Sequence, residues 1–131
     1  MNELAKEILD TVEVGALATV NVDRTPLVTP LHFARFGSSI IWISEPTARH
    51  SENAFRNGKA EFVVWDDKKR AVFLKTNVTE LPESEKEAAM AAYKEKLADF
   101  MPRCQNPQIY IAPIGELDEK TTTGNWLHFI A

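Results

Sequence analysis

Between Pro26 and Asp67 the chain reads PLVTPLHFARFGSSIIWISEPTARHSENAFRNGKAEFVVWDD. Two β-type runs split by a Gly-Ser turn are followed by a short polar helix and then a third β-type run. No other stretch narrows the fold as much, because β runs joined by short turns pair antiparallel. The helix begins after Ser44 and carries Thr47, Arg49, His50 and Asn53 in its first turns. A helix start leaves backbone N–H groups unpaired and carries partial positive charge, so it suits phosphate. An arginine there adds a planar fork of donors for the same anion. The combination points to a phosphorylated cofactor held against a small β-barrel.

The rest of the chain extends this pattern. Leu4, Ile8, Leu9 and Val12 give a helix-period stripe, which predicts a helix over Asn2 to Thr11 stopped by Gly15. Ala16 to Val22 reads as a strand, and Asp23-Arg24-Thr25 as a turn. Leu27 to Phe36 reads as one long strand, and Pro30 inside it argues for an edge or a bulge. Gly37-Ser38-Ser39 turns the chain into Ile40 to Ser44, completing a hairpin. Pro46 to Asn57 is the short helix, with Gly58 as its stop. Glu61 to Trp65 and Ala71 to Leu81 are strands on either side of a charged turn, Asp66 to Lys69. Pro82 to Phe100 is the strongest helix, with Ala89, Tyr93, Leu97 and Phe100 as its buried stripe. Ile109 to Ile114 and Trp126 to Ile130 are the last strands, separated by the polar connection Gly115 to Gly124. Six or seven mainly antiparallel strands with peripheral helices make a β-rich α+β domain, and closing them into a barrel would remove exposed edges.

At 131 residues the chain is expected to form one domain, 1–131, long enough for a real core. A formal net charge of -4 argues against general nucleic-acid binding, which needs a basic face. The single Cys104 rules out an internal disulfide, and no paired-Cys metal spacing is present. His32, His50, Cys104 and His128 do not have the spacing of a metal set. The acidic, amphipathic start lacks the features of a signal peptide, and no apolar run approaches membrane-spanning length. These features read as a reducing, cytoplasmic setting. There is no Gly-x-Ser-x-Gly elbow and no Gly-x-Gly-x-x-Gly fingerprint.

Four segments, in this order and spacing, resemble the FMN-binding split-barrel proteins related to pyridoxamine 5'-phosphate oxidase. They are the opening helix with Gly15-Ala16-Leu17-Ala18-Thr19-Val20, and the strand Pro26-Leu27-Val28-Thr29-Pro30-Leu31-His32-Phe33. They continue with Ser44 followed by Arg49-His50-Ser51-Glu52-Asn53, and end with the strand Phe73 to Leu81. Departures are His50 where the family often has Lys, Ala54 for Leu, Gly58 for Pro, and Thr76-Asn77 for part of a Gly-x-Ala. The resemblance implies a homodimer with FMN in a groove at the two-fold interface. It implies that Arg49 and His50 face the phosphate, with Ser44 and Thr47 donating hydroxyls. Val28, Thr29, Pro30 and Leu31 would line the ring, Asn53 would brace the loop or reach the ribityl chain, and Trp126 would lie near the cofactor across the dimer. The chain has no evident C-terminal extension to close over pyridoxamine phosphate, so that substrate is not carried over.

Each of these residues also has a plainer reading. Arg49 can be a solvated helix charge, and Ser44 and Thr47 can be ordinary caps. His32 reads as a half-buried core histidine, Trp42 and Trp65 as strand core, and Tyr93 and Met90 as helix packing. Cys104 beside Arg103 could have a lowered pKa, but no base stands near it in sequence. No catalytic acid or base is evident. Two functional classes follow: an FMN-dependent oxidoreductase with a nicotinamide donor and a small-molecule substrate, or a non-catalytic flavin- or ligand-binding protein. Deazaflavin F420 and haem, used by relatives of this fold, are the alternative cofactors.

Overall fold

The computed structural model describes the whole chain, Met1–Ala131. Helix α1 spans Glu3–Thr11, capped by Asn2, whose side-chain oxygen accepts the Ala5 N–H at 2.9 Å. It buries Ala5, Ile8 and Leu9. Strand β1 covers Val14–Val20, so it starts before Ala16, and Gly15 is a strand residue rather than a helix stop. The reason is a close approach: a Cβ at Gly15 would collide with the ring of Phe62. Only glycine admits that ring over the strand.

The strands that follow are β2 (Pro26–His32), β3 (Ala34–Phe36) and β4 (Ser39–Ser44). Helix α2 (Arg49–Asn57) comes next, closed by Gly58 at φ 75°, then β5 (Lys59–Trp65), β6 (Ala71–Asn77) and β7 (Thr79–Glu80). A 3-10 turn at Glu83–Glu85 leads into α3 (Lys86–Leu97). The chain ends with β8 (Gln108–Pro113), β9 (Glu116–Leu117) and β10 (Trp126–Ile130). One sheet has the order β2-β1-β5-β6-β10-β9, the other β3-β4-β8-β7. All pairs are antiparallel except β10 with β6. The sheets do not close on each other, and the architecture is a β-rich α+β split barrel. Pro30 lies in the edge strand β2, where its missing donor costs no ladder bond on the outer side.

The strand count is ten rather than six or seven, and two of the additional strands have one recurring cause. The expected strands Leu27–Phe36 and Ala71–Leu81 each break at a single buried residue and pass from one sheet to the other. Phe33 is fully buried, and its N–H goes to the Glu13 carbonyl at 3.2 Å. Val78 is also buried, and its N–H goes to the Gly58 carbonyl at 2.6 Å. The polar connection 115–124 adds the short β9, paired with β10.

The main core lies between α1 and the two sheets and contains Leu17, Phe33, Trp42, Phe62, Leu74 and Phe129. A smaller cluster under α3 joins Ile41, Ile43, Ala89, Tyr93, Leu97 and Ile109. Helix α3 stops at Leu97, so Phe100 is not in its buried stripe; it is exposed and stacks on His32 with ring centroids 3.9 Å apart. Trp42 is core, but Trp65 is 57% exposed.

Trp65 belongs to the outer face of the six-stranded sheet. The register places Ala16 opposite Pro30 and Val63, Ala18 opposite Val28, and Val63 opposite Phe73. It also places Trp126 beside Ala71 and His128 beside Phe73. Val28, Trp65, Trp126 and Ile130 on this face are all exposed. No helix is long and apolar enough to cross a membrane.

Candidate functional site

Strand β4 ends at the buried Ser44, and the chain turns through Glu45–Thr47 before α2 begins at Arg49. The helix therefore starts later than Pro46. Its cap is Ala48, which has no side-chain oxygen, so neither Ser44 nor Thr47 is a helix cap. The Ala48 carbonyl receives the N–H groups of Ser51 and Glu52, both at 3.0 Å. The amides of Arg49 and His50 find no acceptor in the chain. Two donors at a positive helix end thus stay available to an anion.

Beside this helix start lies a cleft of about 270 Å³. Thr29, Pro30 and Leu31 of β2 form one wall, and Ser44 and His50 form the helix side. Tyr93, Phe100 and Cys104, from α3 and the segment after it, close the rest. His50 Nε2 lies 2.9 Å from Ser44 Oγ. Burial lowers the His50 pKa below its ordinary 6.5, so the ring is neutral at pH 7. His50 therefore offers a phosphate a hydrogen bond rather than a fixed charge. Burial and the neighbouring Glu45 raise the Cys104 pKa, the opposite of the lowering that Arg103 suggested, so it is a thiol at neutral pH. Burial pushes Tyr93 up to about 12, with Cys104 adding to the shift.

The remaining expected residues are placed differently. Asn53 is buried and fully engaged. Its amide nitrogen donates to Thr19 Oγ1 at 3.1 Å and Asn21 Oδ1 at 2.9 Å, and its oxygen accepts from Arg56 at 2.8 Å. It braces β1 and the turn after it. Arg49 is exposed and makes no hydrogen bond or ion pair; with Asn53, Asp23 and Glu52 it lines a shallow basin beside α2. Thr47 is exposed and lines neither hollow. Val28 points to the outer sheet face, and Trp126 lies on that face with β1, β5 and β6 between its strand and β2. At about 4.8 Å per strand, that is roughly 19 Å within one chain.

The structure thus gathers Thr29, Pro30, Leu31, Ser44 and His50 in one cleft. It sets Arg49 and Asn53 on the flank of the same helix, and Val28, Thr47 and Trp126 apart. Sequence reasoning left out Tyr93 and Phe100 as cleft residues; a tyrosine in an Ala-Leu stripe reads as packing. A second hollow, of about 610 Å³, is lined by Val63, Trp65, Phe73 and Trp126 on the outer sheet face. Arg70 at its rim is held away by Asp66 and Glu7, each at 2.7 Å.

The cleft offers a strand wall from Thr29 to Leu31 and a Ser–His pair at the helix start, with two free helix amides at that same helix end. The sequence model of the pyridoxamine 5'-phosphate oxidase family matches residues 1–113. No curated protein matches the sequence. Among solved structures, a haem-binding protein from Mycobacterium smegmatis superposes with a TM-score of 0.72 at 19% identity, over 86% of this chain and 50% of that one. The chain thus spans only half the length of that protein. An FAD-binding protein from Mesorhizobium loti gives 0.68 at 21% identity, over 88% and 91%. An F420 reductase gives 0.66 at 18% identity, over 82% and 90%.

Proposed function

Because the chain belongs to the pyridoxamine 5'-phosphate oxidase family, we propose that it binds FMN as a homodimer and acts as an FMN-dependent oxidoreductase on a small molecule. The observation that carries this reading is the start of α2, where two unpartnered amides stand beside the Ser44–His50 pair at the edge of the cleft. The phosphate is held there, with Arg49 reaching it from the exposed flank. Thr29, Pro30 and Leu31 support the ring. FMN is preferred to FAD because the chain has no dinucleotide fingerprint. The flavin would supply hydride and electron transfer between a donor such as a nicotinamide and the substrate. The chain's part is to bind it, orient it and keep water from one side.

A second copy completes the site in this reading. The cleft is smaller than most cofactor pockets, which run from about 300 to 1,000 Å³. The apolar outer face with Val28, Val63 and Trp126 is the surface a two-fold partner would cover. That arrangement brings the partner chain's aromatic groups toward the ring, which Trp126 cannot reach within its own chain.

One observation favours the non-catalytic alternative. Around the cleft, the acidities of Tyr93 and Cys104 are weakened, so neither gives up a proton readily near pH 7. Anaerobic reduction of bound FMN by NADH or NADPH separates the two classes, and reduction by neither supports a binding protein. Arg49→Ala is expected to weaken FMN binding by about 1.5–3 kcal/mol through loss of a charge-assisted phosphate bond. Unchanged affinity in a fluorescence titration removes Arg49 from the site. Tight uptake of F420 or haem in place of FMN redirects the cofactor assignment.

A further inference from the structure

Tyr93 is the odd residue of the cleft. Its ring packs in the small core under α3 with Ile43, Ala89 and Leu97, and the residue is 1% exposed. Its hydroxyl is buried and has no hydrogen-bond partner. Phenylalanine would fill the same space without a polar atom, and leaving a buried hydroxyl unpaired is costly. The residue also lines the cleft, near Cys104 and opposite the β2 wall. An orphan donor on a residue that lines the cleft needs an acceptor that the chain does not provide.

We propose that Tyr93 reads the ligand: its hydroxyl donates a hydrogen bond to a carbonyl oxygen or ring nitrogen of the heteroaromatic ring seated in the cleft. This deepens the flavin reading and rests on it. The flavin ring carries two carbonyl oxygens and two unprotonated ring nitrogens, all acceptors. Ser44 and His50 serve the helix end of the site, whereas Tyr93 enters from α3, on a different element. The two contacts therefore fix a ring in position and in tilt, as one contact alone cannot. The acidity of Tyr93 fits the role, since a phenol with a pKa pushed up to about 12 keeps its proton throughout the physiological range and acts only as a donor. The same property sets it apart from a general base.

The test compares the natural protein with Tyr93→Phe, using FMN as the probe, by thermal unfolding, fluorescence titration and absorption spectroscopy. Without ligand, Tyr93→Phe is expected to melt at or above the natural temperature, because the orphan hydroxyl is gone. With FMN, its affinity is expected to fall about 3- to 10-fold, the range of one neutral hydrogen bond. The visible bands of the bound flavin are expected to shift between the two proteins, which a purely structural tyrosine would not cause. Equal affinity and superimposable spectra overturn the assignment of Tyr93 while leaving the FMN reading intact. A variant that melts lower without ligand also counts against it, because the hydroxyl then has a structural partner. FMN bound by neither protein overturns the cofactor reading, and this inference with it.

Discussion

The cleft beside α2 and the hollow between Trp65 and Trp126 are both open to solvent, and the second has more than twice the volume of the first. Their chemistry is opposite. The cleft holds a Ser–His pair and a tyrosine with an unpartnered hydroxyl against the β2 wall, and the helix start beside it leaves two amides unpartnered. The hollow is lined mainly by aromatic and aliphatic side chains, with Lys69 at its edge and Arg70 tied down by two carboxylates. A small ligand needs a few placed polar groups to fix its orientation, whereas a protein partner needs apolar area and shape. On this contrast the smaller hollow is the proposed ligand site and the larger one the proposed interface. Size alone would have ranked them the other way.

The largest expected effect tests the interface side of this contrast. Val63→Arg puts a charge in the middle of the outer sheet face without touching the core, so the protomer should still fold. Sedimentation is expected to change from a dimer to a species near 14.8 kDa, and FMN binding to weaken with it. A Val63→Arg protein that sediments like the natural one would make the hollow a ligand site after all. On the cleft side, Ser44→Ala removes the partner of His50. It should cost about 1 kcal/mol of stability, read from denaturant midpoints at an unchanged slope. No cost there would mean that the Ser–His pair is not formed in solution.

The smallest effect is one of pH. The His50 pKa is lowered by burial, so between that value and 6.5 the folded chain binds fewer protons than the unfolded one. The contribution of His50 is present above about pH 6.5 and is lost as pH falls through the lowered folded value. In ligand-free protein, the melting temperature should decline over that acidic window, and His50→Gln should decline less. Identical profiles for the two would place the imidazole in solvent and erase the difference in polarity between the hollows.

The element order was largely legible in the sequence because hydrophobic periodicity and turn residues mark it. The breaks were not. Phe33 and Val78 are strand-favouring residues inside strand-like runs, and only the packing of two sheets makes the chain leave one ladder for the other. Gly15 reads as a helix stop, but what requires it is Phe62, a residue distant in sequence. At the site, Ser44, His50 and the β2 segment came from the family-like motif. The divergence of Arg49 from His50 follows from helix geometry, since neighbouring residues point about 100° apart. Tyr93 was hidden because an inward stripe looks alike whether its far end meets core or cavity.

The parallel pairing of β10 with β6 has a kinetic consequence. It joins residues 55 positions apart in the sequence, Ala71 with Trp126 through Lys75 with Ile130, with α3 and three strands to be placed between them. Such a contact costs loop-closure entropy before it returns any stabilisation, so it forms late. Until then the Ala71–Lys75 edge of the sheet stands open beside Phe73 and Trp65, a bare ladder next to an apolar surface. The slow step of refolding and the moment of greatest aggregation risk therefore coincide, and dilute chains should refold in higher yield than concentrated ones.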